Sequence, residues 1–415
     1  MLEQNQNRQR IQLLERNQKL EDRVSNFNEL LVTEKLTYLR SILSASDREV
    51  TIKDPFTGKQ RKMLMFASNN YLGLANHIHV KLRVKKAVDE YGCGIGGPPL
   101  LNGYVKLIEE TETQLSLFKN QEATMLFSSG FMANLALVGT LAQQHDLILY
   151  DELSHISFYD GLKLTKAKSV KFSHNNIHEL ELELIQNYQK IIGDIYVCVE
   201  GVYSMDGDLA KLDEIANLCQ KYNAKLIVDD AHGTGVLGKN GSGTASLFDC
   251  SDSVFLNMGT FSKVFSVCGG FLTGAQDVIN YLRFHAHPYV FSASIPPTVA
   301  AAVLGGLEVM KKEPHLQLQL LDNVKYAVEK LKDYEFCAQP EAAIITLKLP
   351  VKMNIRKAAY LFHQKNIFIN AIEYPAVAIN NQRFRISFMA THTKKDIDKL
   401  IMTIMEVWNN KECYL

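Results

Sequence analysis

The chain reads as an α/β protein with a mixed, mostly parallel sheet in a large domain, a smaller α+β C-terminal domain and a helical arm at the N-terminus. Three observations predict this. From about residue 63 short apolar runs recur, namely ATMLF, DLILY, DIYVCVE, AKLIVDD, SVFLNMG and GGFLTG, most of them separated by helical patterns. That alternation implies strands joined by crossover helices. The runs are apolar on both faces, as strands covered by helices on both sides are. Beyond residue 311 the texture changes, and the helical stretch KKEPHLQLQLLDNVKYAVEKLKDYEF leads to AAIITLKLP, FRISFM and a last helix near Lys394 to Asn409.

The expected division is an N-terminal helical arm with a small-domain segment over 1–62, a large domain over 63–311 and the α+β domain over 312–415. The first forty residues carry no glycine or proline and are rich in Gln, Asn, Glu and Arg. Leu20, Val24, Phe27 and Leu31 place an apolar stripe on one helical face, suited to docking on the body or a partner subunit; contact with a membrane surface is the other use of such a stripe.

Composition narrows the function. With 415 residues, 47% hydrophobic and 22% charged, the chain can bury a sizeable core. Lys plus Arg and Asp plus Glu both number 45, which argues against a nucleic-acid binder. Seven scattered cysteines with no CxxC pair signal neither a disulfide framework nor a zinc site, and no other metal site is expected. The longest nearly uncharged helical stretch, around Pro297 to Gly306, is too short and too rich in alanine and glycine to cross a bilayer. The start MLEQNQNRQR lacks the apolar stretch of a signal peptide, so a cytoplasmic, reducing setting is expected.

The chemistry concentrates at strand ends. Gly259-Thr260-Phe261-Ser262-Lys263 follows the strand SVFLNM, and Asp229-Asp230-Ala231-His232 follows the strand AKLIV one crossover earlier. In an open α/β sheet both groups emerge at the edge where ligands bind. A lysine amine and a carboxylate on neighbouring strands, with a small-residue anion loop, are what pyridoxal phosphate (PLP) requires: the amine forms an imine and the carboxylate keeps the pyridine nitrogen protonated. Ser128-Ser129-Gly130-Phe131, between the strand ATMLF and the helix MANLALVGTL, fits the phosphate, because a helix N-terminus offers free N–H groups and a positive dipole end. Thr260 and Ser262 can add hydroxyl donors.

These segments resemble the α-oxoamine synthase family of fold-type I PLP enzymes. The likeness runs in family order through SNNYLGL, YGCGIGG, FSSGFMAN, DELSHIS, EGVYSMDGDLA, VDDAHGTGVLG, MGTFSK, FSASIPP and FRISFMATHT, about four-fifths of the chain. MGTFSK, FSASIPP and MATHT are most similar to the bacterial serine palmitoyltransferase branch, and AHGTG to the 8-amino-7-oxononanoate synthase branch. The resemblance implies a PLP-bearing large domain. Lys263 would hold the internal aldimine and move the Cα proton, Asp229 would face the ring nitrogen, and His155 would stack on the ring. His232 would lie near the ring oxygen and the substrate carboxylate, and Ser204 beside the same ring. Ser129, Gly130, Phe131, Thr260 and Ser262 would surround the phosphate. Arg385 would bind the amino-acid carboxylate through its planar fork, helped by Asn69. Ser292 and Ser294 resemble residues that reach the phosphate from a second subunit, which implies a homodimer.

The implied reaction is decarboxylative condensation of a small amino acid, serine before alanine or glycine, with an acyl thioester on coenzyme A or a carrier protein, giving an α-amino ketone. An 8-amino-7-oxononanoate synthase, an amino-ketone autoinducer synthase and a carrier-protein-dependent synthase would use the same residues. A non-catalytic partner subunit would be expected to lack Lys263. One stretch departs from the family pattern: Gly97-Pro98-Pro99 stands where a small or hydroxyl residue and an arginine are common, and Tyr104 where threonine is frequent. The double proline stiffens that loop and removes a cationic donor from the substrate pocket.

Overall fold

The computed structural model describes residues 19–374 and 376–414. Its centre is a seven-stranded sheet built from β4 (Ala123–Phe127), β5 (Leu147–Asp151), β6 (Lys168–Phe172), β7 (Ile195–Glu200), β8 (Lys225–Asp229), β9 (Val254–Thr260) and β10 (Gly270–Gly274), in the order β4-β10-β9-β8-β7-β5-β6. Neighbours from β6 through β9 run parallel, while β10 is antiparallel to both β9 and β4. The sheet is therefore mixed and mostly parallel, as the two-sided apolar runs required.

Both faces are covered. Along β7, Val197 and Val199 pack toward one side with Leu180, Leu184 and Ile215. Tyr196 and Cys198 pack toward the other with Ala133, Leu137 and Ile279. Successive side chains of a strand point to opposite faces, so only an unbroken apolar run satisfies helices on both sides. The edge strand β6 has two lysines and exposes most of its length, so its sequence KSVKF does not carry that signature.

Two smaller sheets complete the fold. One is antiparallel: β11 (Ile344–Lys348), β14 (Arg383–Ser387) and β13 (Asn370–Ile372) in the order β11-β14-β13. The other joins β1 (Ser41–Ile42), β2 (Glu49–Lys53) and β3 (Gln60–Met65) to β12 (Ile367–Phe368), with β3 and β12 parallel. The β2–β3 turn is fastened by Asp54, whose carboxylate accepts the N–H groups of Phe56 and Thr57 at 2.8 and 3.2 Å. The expected last helix runs Lys394–Asn409, with Thr393 and Asp396 forming a reciprocal cap.

Of the N-terminal arm, Leu20–Thr33 is helical. Leu20 and Val24 of its stripe are exposed; the side chains of Phe27 and Leu31, and everything before residue 19, lie outside the described residues. Among the described residues no helix is long and apolar enough to cross a membrane.

Candidate active site

At the C-terminal edge of the parallel strands a cavity of about 300 Å³ opens, lined by residues from five separate stretches of chain. The strand ends supply the acids: Glu200 closes β7 and Asp229 closes β8, and the two are direct partners across the ladder. Asp229 is held in place by Asn134 Nδ2, which donates to it at 2.8 Å, and by the N–H of Ala231 at 3.1 Å. Glu200 is buried, and its Oε1 has no hydrogen-bond partner among the described residues. Burial first, then the neighbouring Asp229, push its carboxyl well above the usual range.

The loop from β9 to β10 carries Lys263. This loop turns through Ser266 at φ 56° and Gly269 at φ 135°, both in the positive region. Thr260 Oγ1 pairs with Ser262 Oγ at 2.9 Å and donates to Gly269 O at 3.0 Å. The Lys263 amine lines the cavity and is hydrogen-bonded to none of the described residues. Burial pushes its pKa down to about 8, against the opposing pull of Asp229 and Glu200. A free, readily deprotonated amine thus faces the Asp229 carboxylate's cavity.

One end of the cavity is formed by the N-terminus of the helix Gly130–Leu141. Ser129 is its N-cap, accepting from the Met132 N–H at 3.1 Å, and an added Cβ on Gly130 would come within 2.9 Å of Thr260. Glycine lets the helix N-terminus approach the Thr260–Ser262 hydroxyls, which with Ser128 ring the same end of the cavity. Phe131 also lines it, its ring nearly perpendicular to that of His155. His155 caps the helix Ile156–Leu162, its Nδ1 2.7 Å from Ser157 Oγ. Burial lowers its pKa. His232 is buried deeper, with Nδ1 2.6 Å from Tyr71 Oη, and burial followed by repulsion from Lys263 and Arg385 drives its pKa well below the ordinary value. Both rings are therefore neutral near pH 7.

Arg385 and Asn69 lie one layer beyond the cavity. Both Nη atoms of Arg385 sit 3.2 Å from Asn69 Oδ1, and its Nε donates to Ser204 O at 2.7 Å. Tyr71 Oη reaches Asn69 Oδ1 at 3.2 Å, linking this pair to His232. Ser204 belongs to both groups, since its carbonyl takes Arg385 and the residue lines the cavity. Ser292 and Ser294 do not line the cavity of their own chain. Ser294 instead pins the double-proline loop, its Oγ donating to Gly103 O at 2.7 Å and its N–H to Gly97 O at 3.0 Å.

Sequence reasoning missed Asn134, Ser157, Glu200 and Tyr71. Each lies inside a stretch already singled out, but a buried asparagine or glutamate reveals its role only through the partner it faces. Asn134 was legible in principle, one helical turn beyond the anion loop on the face toward β8.

The chain belongs to the aminotransferase class I and II family, whose model matches residues 61–404. Among curated relatives it is 36% identical over 388 residues to an 8-amino-7-oxononanoate synthase of Petrotoga mobilis, covering 93% of this chain and 95% of the other. It is equally 36% identical over 398 residues to a serine palmitoyltransferase of Sphingobacterium spiritivorum, covering 95% and 98%. Among solved structures, a serine palmitoyltransferase from S. paucimobilis with bound PLP–myriocin aldimine superposes with a TM-score of 0.86 at 26% identity, covering 94% of this chain and 98% of that one. Both named activities belong to α-oxoamine synthases, and the chain is a PLP-dependent acyltransferase of that kind. The cavity fits the cofactor by its own chemistry: an amine without a hydrogen-bond partner among the described residues, a carboxylate lining the same cavity, and a helix N-terminus with hydroxyls beside it.

Proposed function

We propose that the enzyme condenses a small amino acid, serine first, with an acyl thioester, releasing carbon dioxide and the thiol and leaving an α-amino ketone. One observation carries the amino-acid half. Arg385 is 5% exposed, yet among the described residues no carboxylate lies within ion-pair distance of it. Arg383, two residues earlier on the same strand, is paired with Asp206 at 2.6 Å. A buried cation without an anion is costly, so the site is built for a carboxylate that arrives with the substrate.

PLP, when bound, supplies the electron sink for breaking bonds at the substrate Cα. Lys263 would hold the cofactor and move the Cα proton, which a pKa near 8 suits. Asp229 would hold the proton on the ring nitrogen, with Asn134 fixing the carboxylate's orientation. His155 would cover one ring face, and neutral His232 would hydrogen-bond at the ring's edge. Ser129, Gly130, Thr260 and Ser262 would bind the phosphate, with Phe131 beside it. Arg385, Asn69 and Ser204 would set the rotation of the amino acid, and so decide which Cα bond stands perpendicular to the ring. A bond then forms from Cα to the thioester carbonyl carbon as the thiol leaves, and the Cα carboxylate departs as carbon dioxide, replaced by a proton.

The active assembly would be a homodimer in which Ser292 and Ser294 of a second copy complete the phosphate end, housed in the reducing cytoplasm. Seven free cysteines among the described residues support that compartment. The equal identity to 8-amino-7-oxononanoate synthase keeps a second reading, with a different amino acid and acyl group at the same residues. The test is incubation of the PLP-loaded enzyme with panels of amino acids and acyl thioesters on coenzyme A or carrier protein. Carbon dioxide and an amino ketone of the matching mass are expected with one pairing. Absence of both with every pairing would reject the reaction, and the product's mass separates the two readings.

A further inference from the structure

The turn over 203–208 sits between the large sheet and the C-terminal sheet and is gripped from both sides. From the C-terminal sheet, Arg385 Nε donates to Ser204 O at 2.7 Å, and Arg383 Nη1 to Met205 O at 2.8 Å and Asp206 Oδ1 at 2.6 Å. Thr346 Oγ1 donates to Asp206 O at 2.7 Å. From the large sheet comes His174, just past the end of β6. Its Nε2 lies 2.8 Å from Asp208 Oδ2, and its Nδ1 lies 3.1 and 3.2 Å from the two oxygens of Asp151. The Tyr203 ring stands edge-on to it at 4.4 Å. Asn175 reinforces the clamp, its N–H donating to Asp151 at 2.9 Å and its Nδ2 to Asp208 at 3.1 Å.

Neutral imidazole has one N–H, so it can donate to one carboxylate only; with a carboxylate on each nitrogen both must be protonated. The cation balances two acids that would otherwise repel each other beside a site built to receive an anion. Hydrogen bonds to Asp151 and Asp208 overcome the cost of burial and push the His174 pKa up to about 10. Asp151 also accepts the Leu153 N–H at 2.8 Å, in the loop leading to His155. One charged ring therefore joins the two loops that present His155 and Ser204 to the cavity.

We propose that His174 is a positioning residue for the amino-acid substrate: clamped between Asp151 and Asp208, it fixes the turn over 203–208 and thereby, through the Ser204 carbonyl, aims the Arg385 guanidinium. The inference rests on the reading of Arg385 as the carboxylate receptor. Removing the cation frees the turn and leaves two acids uncompensated, so the loss falls on amino-acid affinity more than on the chemistry that follows.

Spectral titration of the PLP-loaded enzyme with serine and alanine tests this. His174→Gln should retain PLP and its visible absorbance while the Kd for the amino acid rises about tenfold or more, with a smaller change in kcat at saturation. Asp208→Asn, which keeps the ring and removes one acid, should raise the Kd in the same sense, and it provides the measurement if His174→Gln yields no folded holoenzyme. An unchanged Kd in the folded variants, or loss of PLP in step with loss of amino-acid binding, overturns the proposal and leaves a merely structural clamp. Arg385→Lys is the separate control. If it binds the amino acid as the parent does, the carboxylate-receptor reading fails; if it binds weakly while His174→Gln binds normally, only the positioning role of His174 fails.

Discussion

At the scale of single residues the site works by separating groups that share a chemistry. Glu200 and Asp229 face each other across β7 and β8, but Asp229 accepts from Asn134 and Ala231 while Glu200 Oε1 has no hydrogen-bond partner among the described residues. Like charges directly opposite on a sheet are unfavourable, and burial, followed by Asp229, pushes the Glu200 carboxyl up. Glu200→Gln should therefore keep PLP and stay within about threefold of parental turnover, whereas Asp229→Asn should lose about 10²–10³-fold, the usual consequence of removing one preorganised electrostatic group. Steady-state product formation decides it, and equal damage from both substitutions would contradict this division of roles. Lys263 offers a pH test. Its pKa of about 8 means that the free amine grows as pH rises through that value, so recombination of PLP with the apoprotein should accelerate between about pH 7 and 9. An inflection near that of an ordinary lysine would show that burial does not activate the amine.

At the scale of elements, adjacent acids serve different masters. Asp229 opens on the cavity, while Asp230 turns away to a fully buried pair with Lys119, Nζ to Oδ2 at 2.6 Å, at the end of the helix Lys106–Lys119. The same ammonium reaches Thr234 Oγ1 and Ser242 O, both at 2.8 Å. The loop that presents His232 is thus stapled to a helix on the far side. Removing the cation strands a buried carboxylate, which costs about 3–5 kcal/mol. Lys119→Met should lower the midpoint of urea unfolding by that amount of stability, and a midpoint unchanged from the parent would mean that water or rearrangement relieves Asp230.

At the scale of the whole molecule, an apolar surface remains unaccounted for within one chain. Phe291 is 80% exposed and Leu101 81%, on segments that Ser294 ties together. Exposed apolar patches of this kind mark association sites, and this one borders the residues proposed to act across subunits. Phe291→Asp should sediment as a monomer and bind PLP more weakly at equal protein concentration. Parental sedimentation of that variant would place the subunit interface elsewhere.

Much of this was legible in the sequence, because a parallel sheet puts function at strand ends and each strand end is a short local motif. Lys263, Asp229, His155, His232, Ser129 and Thr260 could be picked out one motif at a time, and all line one cavity. The strands without a two-sided apolar run were not legible. β6 is a polar edge strand, and EVTIK of β2 alternates charged and apolar residues in a register that means little until β3 lies beside it. What the sequence by itself determined was the αβ alternation and the cofactor chemistry at the ends of its strands. Only the tertiary structure decided that Asp230 is taken by Lys119 and Arg383 by Asp206, leaving Asp229 on the cavity and Arg385 with no carboxylate beside it among the described residues. Burial and pairing depend on partners more than a hundred positions away, and no local pattern encodes them.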